Sequence, residues 1–177
     1  MDDVKTCPAH DERHGTGAAT DDTLHAVAPG GTAAGEEEMP VHPDLEAFIE
    51  SIPWHRHLGL KVLALHPGHA RLVIPFQAGF TGNAARGALH GGIIASLADS
   101  CGNAALWTHF GPDDRIATIN IGVDYFRPAP LADLMAEAEV RLLGNRIGNV
   151  HVRLAPLAEP SQTVAEGRTV CYVKRMS

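Results

Sequence analysis

Apolar positions follow a helical spacing at Leu45, Phe48, Ile49 and Ile52, and beyond them the period drops to two. Pro43 suits the first turn of that short helix, and Pro53 is expected to stop it. Residues 60–66 and 70–77 alternate like strands on either side of Pro67-Gly68-His69, which predicts a hairpin. A polar, glycine-containing loop over residues 78–89 leads into a second helical stretch, residues 89–110. After the turn signal Gly111-Pro112-Asp113-Asp114 come four more strand-like segments, at residues 115–126, 134–143, 149–155 and 163–174. The gaps between them are too short for crossover helices. The pattern therefore predicts an α+β domain, an antiparallel sheet of about five to six strands laid on one long helix.

The long helix has an unusual outer face. At about 100° per residue, Ile93, Ile94, Leu97, Ala98, Cys101, Ala104 and Ala105 fall in a band about 140° wide. The opposite side carries Gly92, Ala95, Ser96, Asp99, Gly102 and Asn103, without the Lys, Glu and Arg of an ordinary solvated face. Such a face suits close approach by a ligand or a second subunit. Asp99 is a lone carboxylate there, and burying it without a partner is costly. From the helix pattern alone, a carboxylate held by hydrogen bonds for the sake of the fold and a reactive one are equally good readings.

Composition separates a tail from the domain. Residues 1–40 contain no Phe, Trp, Tyr or Ile and only one Leu, and they hold nine of the 21 acids against Lys5 and Arg13, a net charge of −7. Residues 41–177 balance twelve acids with twelve bases. The tail lacks the apolar surface to offset chain entropy and is expected to be disordered. A neutral domain with an acidic tail argues against nucleic-acid binding, which runs on basic surface. No apolar run reaches a membrane span, and the opening MDDVKT is unlike a signal peptide. Three scattered cysteines, Cys7, Cys101 and Cys171, make no disulfide framework and fit a cytoplasmic protein. Cys7, His10 and His14 are too few and too loosely set for a metal site, so no metal is expected.

The stretch from Asn83 through His90-Gly91-Gly92-Ile93-Ile94-Ala95-Ser96-Leu97-Ala98-Asp99, followed by Thr118 and Val123-Asp124-Tyr125-Phe126-Arg127-Pro128-Ala129, resembles hotdog-fold acyl-CoA thioesterases of the phenylacetate-pathway type. The likeness continues through Gly144-Asn145-Arg146-Ile147 and Ala165-Glu166-Gly167-Arg168 and covers roughly residues 48–173. It implies a curved antiparallel sheet around a central helix, paired into homodimers and often into dimers of dimers. It also implies hydrolysis of a thioester, with coenzyme A as part of the substrate and no resident cofactor. Carried over by position, Asp99 would activate water or attack the thioester carbon, and Gly91 would offer its N–H to the carbonyl oxygen. His90 would brace the turn, Asn83 would help hold the carbonyl, and Thr118 would steady the water. Gly92, Arg127, Asn145 and Arg146 would contact substrate, the last three near its nucleotide end. The family usually has asparagine six residues before the histidine; here Asn83 is seven before and Ala84 stands at six.

The chemistry constrains the assembly. Helix N-termini present free, positively biased N–H groups for an oxyanion. Asp99 lies eight residues past Gly91, which at about 1.5 Å per residue is about 12 Å along one axis. One thioester cannot touch both, so the aspartate is expected from a second copy whose helix runs antiparallel. A hotdog hydratase would pair its aspartate with a histidine a few residues on, but the next one is His109. A non-catalytic acyl-CoA binding protein is the other alternative. Trp54, Leu58, Phe80, Trp107 and Phe126 are candidate pocket residues, which leaves the acyl group open.

Overall fold

The computed structural model describes residues 41–176. The tail, with Cys7, His10 and His14, lies outside the described residues. Two short helices, α1 (Leu45–Ser51) and α2 (Pro53–Leu58), precede the hairpin β1 (Lys61–His66) and β2 (His69–Ile74). A small second hairpin, β3 (Thr81–Asn83) and β4 (Ala88–Leu89), leads into the long helix α3 (Gly91–Trp107). Four long strands complete the chain: β5 (Arg115–Tyr125), β6 (Leu134–Leu143), β7 (Ile147–Pro156) and β8 (Ala165–Lys174). The main sheet is six-stranded in the order β1-β2-β6-β7-β8-β5, and every pair in it is antiparallel.

Alternation decides which face of each strand meets α3. Leu72 and Ile74, Ala136 and Ala138, Val150 and Val152, and Ala165 and Cys171 turn inward and are buried. Leu97, Ala98, Cys101 and Ala105 of α3 meet them and are fully buried, each large apolar side chain contributing about 1.5–3 kcal/mol. The sheet curls so far that α3 packs on all four long strands and on β2.

The first helix stops at Ser51, just before Pro53 as expected, and Pro53 also begins α2, at a first-turn position whose N–H no helix uses. Two expectations need correcting. The 78–89 loop is not featureless: it holds 3₁₀ turns at Ala78–Phe80 and Ala84–Arg86 and the β3–β4 hairpin. Pieces of two or three residues are too short to show a period. Gly102 does not sit on an open face. It is buried, and a Cβ there would lie 2.6 Å from Thr169 Oγ1 on β8. The curling sheet covers that end of the small-residue face, and the part around Ala95, Ser96 and Asp99 stays half-open.

β5 is an edge strand of eleven residues. It leaves Ile119 and Tyr125 more than half exposed (58% and 52%), with Phe126 just past its end at 54%.

Candidate active site

His90 caps α3. Its backbone is extended (φ −69°, ψ 132°), and Nδ1 accepts the Gly92 N–H at 2.9 Å. Its carbonyl takes the Ile93 N–H at 3.0 Å. The Gly91 N–H, the first of the helix, has no acceptor among the described residues. A Cβ on Gly92 would stand 2.9 Å from His90 Nδ1, so that glycine makes room for the imidazole. Tyr125 Oη donates to the Gly91 carbonyl at 3.0 Å. The peptide joining Gly91 to Gly92 is thus held at both ends, by Tyr125 on its oxygen and His90 on its N–H. Beside it opens a cavity of about 380 Å³ lined by Leu89, Gly91, Ile94, Tyr125, Phe126 and Arg127, among others.

Asn83 stands opposite Ala88 in the β3–β4 hairpin, after a one-residue irregularity at Gly82. A Cβ on Gly82 would fall 2.6 Å from His90 Cα, so this hairpin lies directly against the start of α3. Asn83 Oδ1 accepts the Arg86 N–H at 3.0 Å, and its Nδ2 has no acceptor among the described residues.

Two turns along α3, Asp99 is half-buried. Its Oδ1 accepts the Thr118 hydroxyl at 2.8 Å and Asn103 Nδ2 at 3.3 Å. Asn103 Nδ2 also lies 2.9 Å from Thr118 Oγ1 and 2.9 Å from the Asp99 carbonyl. Thr118 faces Cys171 across the β5–β8 ladder, beside an irregularity at Ile119 of the kind that re-aims a side chain. Cys171 Sγ lies 3.5 Å from Asn103 Oδ1. Burial pushes the Cys171 thiol up to about 11; the Thr118 hydroxyl opposes this and the Asp99 charge adds to it. No ion pair reaches Asp99 among the described residues.

The chain therefore brings His90, Gly91, Gly92 and Arg127 to one end of α3 and joins Asp99 to Thr118 farther along it. It does not bring Arg127 near Asn145 and Arg146. The Arg146 carbonyl accepts the Val173 N–H, whereas Tyr125, two residues before Arg127, pairs with Ala165. Eight residues of β8 separate those points, about 26 Å. The five candidate pocket residues do not converge either. Leu58 and Phe80 are core, Trp54 stacks on His57 and Trp107 meets Phe48 edge-on. Only Phe126 lines the cavity beside Gly91.

Sequence reasoning assigned no site role to Asn103, Tyr125 or Cys171. Asn103 was visible as the residue four after Asp99, hence its neighbour on the helix face. The other two come from distant strands and left no local signal. A larger cavity of about 540 Å³ lies on the outer face of the sheet around Arg71, Glu137, His151 and Arg153, and none of its lining comes from α3.

A family model described as the thioesterase superfamily matches residues 86–156. The medium/long-chain acyl-CoA thioesterase YigI of Salmonella typhimurium is 31% identical over 122 residues, covering 62% of this chain and 79% of that protein. A solved variant of the phenylacetic acid degradation protein PaaI from Thermus thermophilus superposes with a TM-score of 0.59 at 30% identity, over 70% of this chain and 99% of that one. The Escherichia coli PaaI structure shares the fold with a TM-score of 0.64 at 23% identity, over 74% of this chain and 89% of that one. The chain belongs to the thioesterase superfamily, as a hotdog thioesterase of the phenylacetate-pathway type, and is a thioester hydrolase. Among the described residues no helix is long and apolar enough to cross a membrane.

Proposed function

We propose that this protein hydrolyses acyl-CoA thioesters to the free acid and coenzyme A, at sites that each combine Gly91 of one copy with Asp99 of another. The observation that carries the reading is the Asp99 carboxylate. Both of its donors sit on Oδ1, and Oδ2 has no partner among the described residues. The acyl-CoA substrate is supported by the name of the Salmonella relative. Coenzyme A enters as part of the substrate, and no resident cofactor is proposed.

The Gly91 N–H, at the positive end of α3, polarises the thioester carbonyl and takes up charge as the carbon becomes tetrahedral. Asp99 Oδ2 either takes a proton from a water whose oxygen adds to the carbon, or itself adds to the carbon and forms an anhydride that water then hydrolyses. The C–S bond breaks, and coenzyme A leaves as its thiol with a proton supplied by that water. His90 keeps the turn in place, Asn83 Nδ2 is a second donor for the carbonyl, and Thr118 holds the carboxylate.

A site in one chain would need groups about 12 Å apart to meet on a single carbon. The open edge of β5 offers the remedy. A second β5 pairing antiparallel along it would set the Gly91–Tyr125 end of one copy beside the Thr118–Asp99 region of the other. The same pairing draws the Arg127 end of one chain toward the Asn145-Arg146 turn of its partner. That arrangement fits an extended nucleotide better than the 26 Å separation within one chain.

Coenzyme A release should be followed over straight-chain acyl-CoAs and phenylacetyl-CoA, with product analysis. Free acid with equimolar coenzyme A is expected. A hydrated acyl-CoA would mean a hydratase, and unchanged thioester a binding protein. Asp99→Asn is expected to keep its fold and melting temperature while turnover falls by at least about a hundredfold. Near-normal turnover in that variant would remove Asp99 from the chemistry.

A further inference from the structure

We infer that Asn103, oriented by the Cys171 thiol, is a positioning residue that locks the Thr118 proton onto Oδ1 of Asp99 and leaves Oδ2 as the single reactive oxygen. The inference rests on Asp99 being the reacting carboxylate. The two sides of the Asn103 amide meet opposite partners. Nδ2 faces three acceptors: the Asp99 carbonyl at 2.9 Å, Thr118 Oγ1 at 2.9 Å and Asp99 Oδ1 at 3.3 Å. Among the described residues Oδ1 faces only Cys171 Sγ, at 3.5 Å, nearer than the 3.9 Å from that sulfur to Thr118 Oγ1.

Cys171 is fully buried, and with its titration pushed up to about 11 it keeps its proton through neutral pH. It is therefore a donor, and the amide oxygen is its nearest acceptor. Turning the amide over would set NH₂ against S–H and C=O against a carboxylate. The Thr118 hydroxyl has one proton to give. With the Asn103 N–H directed at its oxygen, that proton points to Asp99, 2.8 Å away.

The polarity runs one way, from thiol to amide to hydroxyl to carboxylate. The Thr118 hydroxyl lands on Oδ1 in a hydrogen bond strengthened by the charge, while the Asn103 amide, its two N–H groups taken by the Asp99 carbonyl and Thr118 Oγ1, reaches the same oxygen only at 3.3 Å. Without the amide, Thr118 is free to turn its proton elsewhere and the carboxylate to rotate about its Cβ–Cγ bond. Among the described residues the Cys171 thiol has no hydrogen bond to Asp99; its nearest acceptor is the Asn103 amide oxygen, with Thr118 Oγ1 farther off at 3.9 Å.

The test measures kcat and KM for decanoyl-CoA, with thermal midpoints, on the full chain. Asn103→Ala is expected to lower kcat by about tenfold to a hundredfold, the worth of an oriented hydrogen bond to a charge, with KM little changed. Two variants at Cys171 separate orientation from packing. Cys171→Val fills the space without a donor and is expected to lose about tenfold in kcat. Cys171→Ser restores a donor and is expected to recover most of that loss, although serine is the poorer residue for an apolar site.

A packing role for the thiol gives the reverse order, valine active and serine impaired, and that order would overturn the inference. So would wild-type kcat in a folded Asn103→Ala. Should that variant fail to fold, the Cys171 pair decides alone. Asp99→Asn run alongside separates the two levels of the account. If it is inactive while Asn103→Ala and Cys171→Val turn over normally, only this inference falls. If it turns over normally, the reading of Asp99 falls and the inference with it.

Discussion

Two glycines stand together at the head of α3, for different reasons. Gly92 is small because His90 Nδ1 occupies the place of its side chain, and its N–H is already spent on that ring. Gly91 has no acceptor for its N–H among the described residues, and Tyr125 holds the carbonyl of the same residue. The histidine, both glycines, the aspartate and Thr118 were legible from the motif, because their spacing along the chain is itself the signal. Tyr125 was part of that motif without a role, since its hydroxyl meets Gly91 only once β5 folds beside the helix. Its contribution can be read separately. Tyr125→Phe keeps the ring against Gly91 and deletes one hydrogen bond worth about 0.5–1.5 kcal/mol. The expected result is a fall in kcat of about two- to tenfold, with KM for decanoyl-CoA and the melting temperature nearly unchanged. A loss confined to KM would instead make Tyr125 a substrate contact.

At the level of elements, long periodic segments were readable and short ones were not. β6 was legible to the residue from its strand-like run between two turns, with fully and partly buried positions alternating through its middle, and α3 because seven apolar residues share one stripe. α2 and the β3–β4 hairpin are set by a proline and by packing against His90, which leave no period to find. The small face of α3 was legible as unusual, but its division was not: Gly102 faces β8 and Asp99 faces the open side. Gly102→Ala is expected to cost about 1–3 kcal/mol in denaturant unfolding, because its Cβ meets a filled site. Thr169 Oγ1 is buried without a partner among the described residues, so adding Thr169→Ala should return most of that loss. No rescue would mean that the glycine matters for some reason other than this contact. On the outer face, Glu137 lies between Arg71 and Arg153 in register and bonds to both. Burial pushes its carboxyl up, but the two guanidiniums outweigh that and hold it below the usual carboxylate range. A depressed carboxylate adds stability that is complete above the unfolded value of about 4.3 and is lost as pH falls through the folded one. Glu137→Gln should therefore be less stable than the parent at neutral pH, and the gap in urea midpoint should narrow on acidification below about pH 4. A gap independent of pH would assign the effect to packing.

At the scale of the whole molecule, one chain contains every proposed group and yet does not assemble them. α3 separates Gly91 from Asp99, the sheet separates Arg127 from Arg146, and the open edge of β5 lies alongside both halves. The helical rise made this separation computable from the sequence, whereas the strand that would join two copies became visible only in the sheet order, with β5 outermost. Complementation between two inactive chains tests the shared site most directly. One chain carries Asp99→Asn. The other carries Gly91→Pro, which deletes the N–H at the first helical position, where proline is at home, after a residue whose ψ of 132° suits a following proline. Each homo-oligomer should be inactive. After subunit exchange, a mixed dimer has one site built from an intact Gly91 and an intact Asp99, and activity should rise to about half the wild-type value per mixed dimer. Demonstrated exchange with no recovery would put both groups to work within one chain and contradict the shared site.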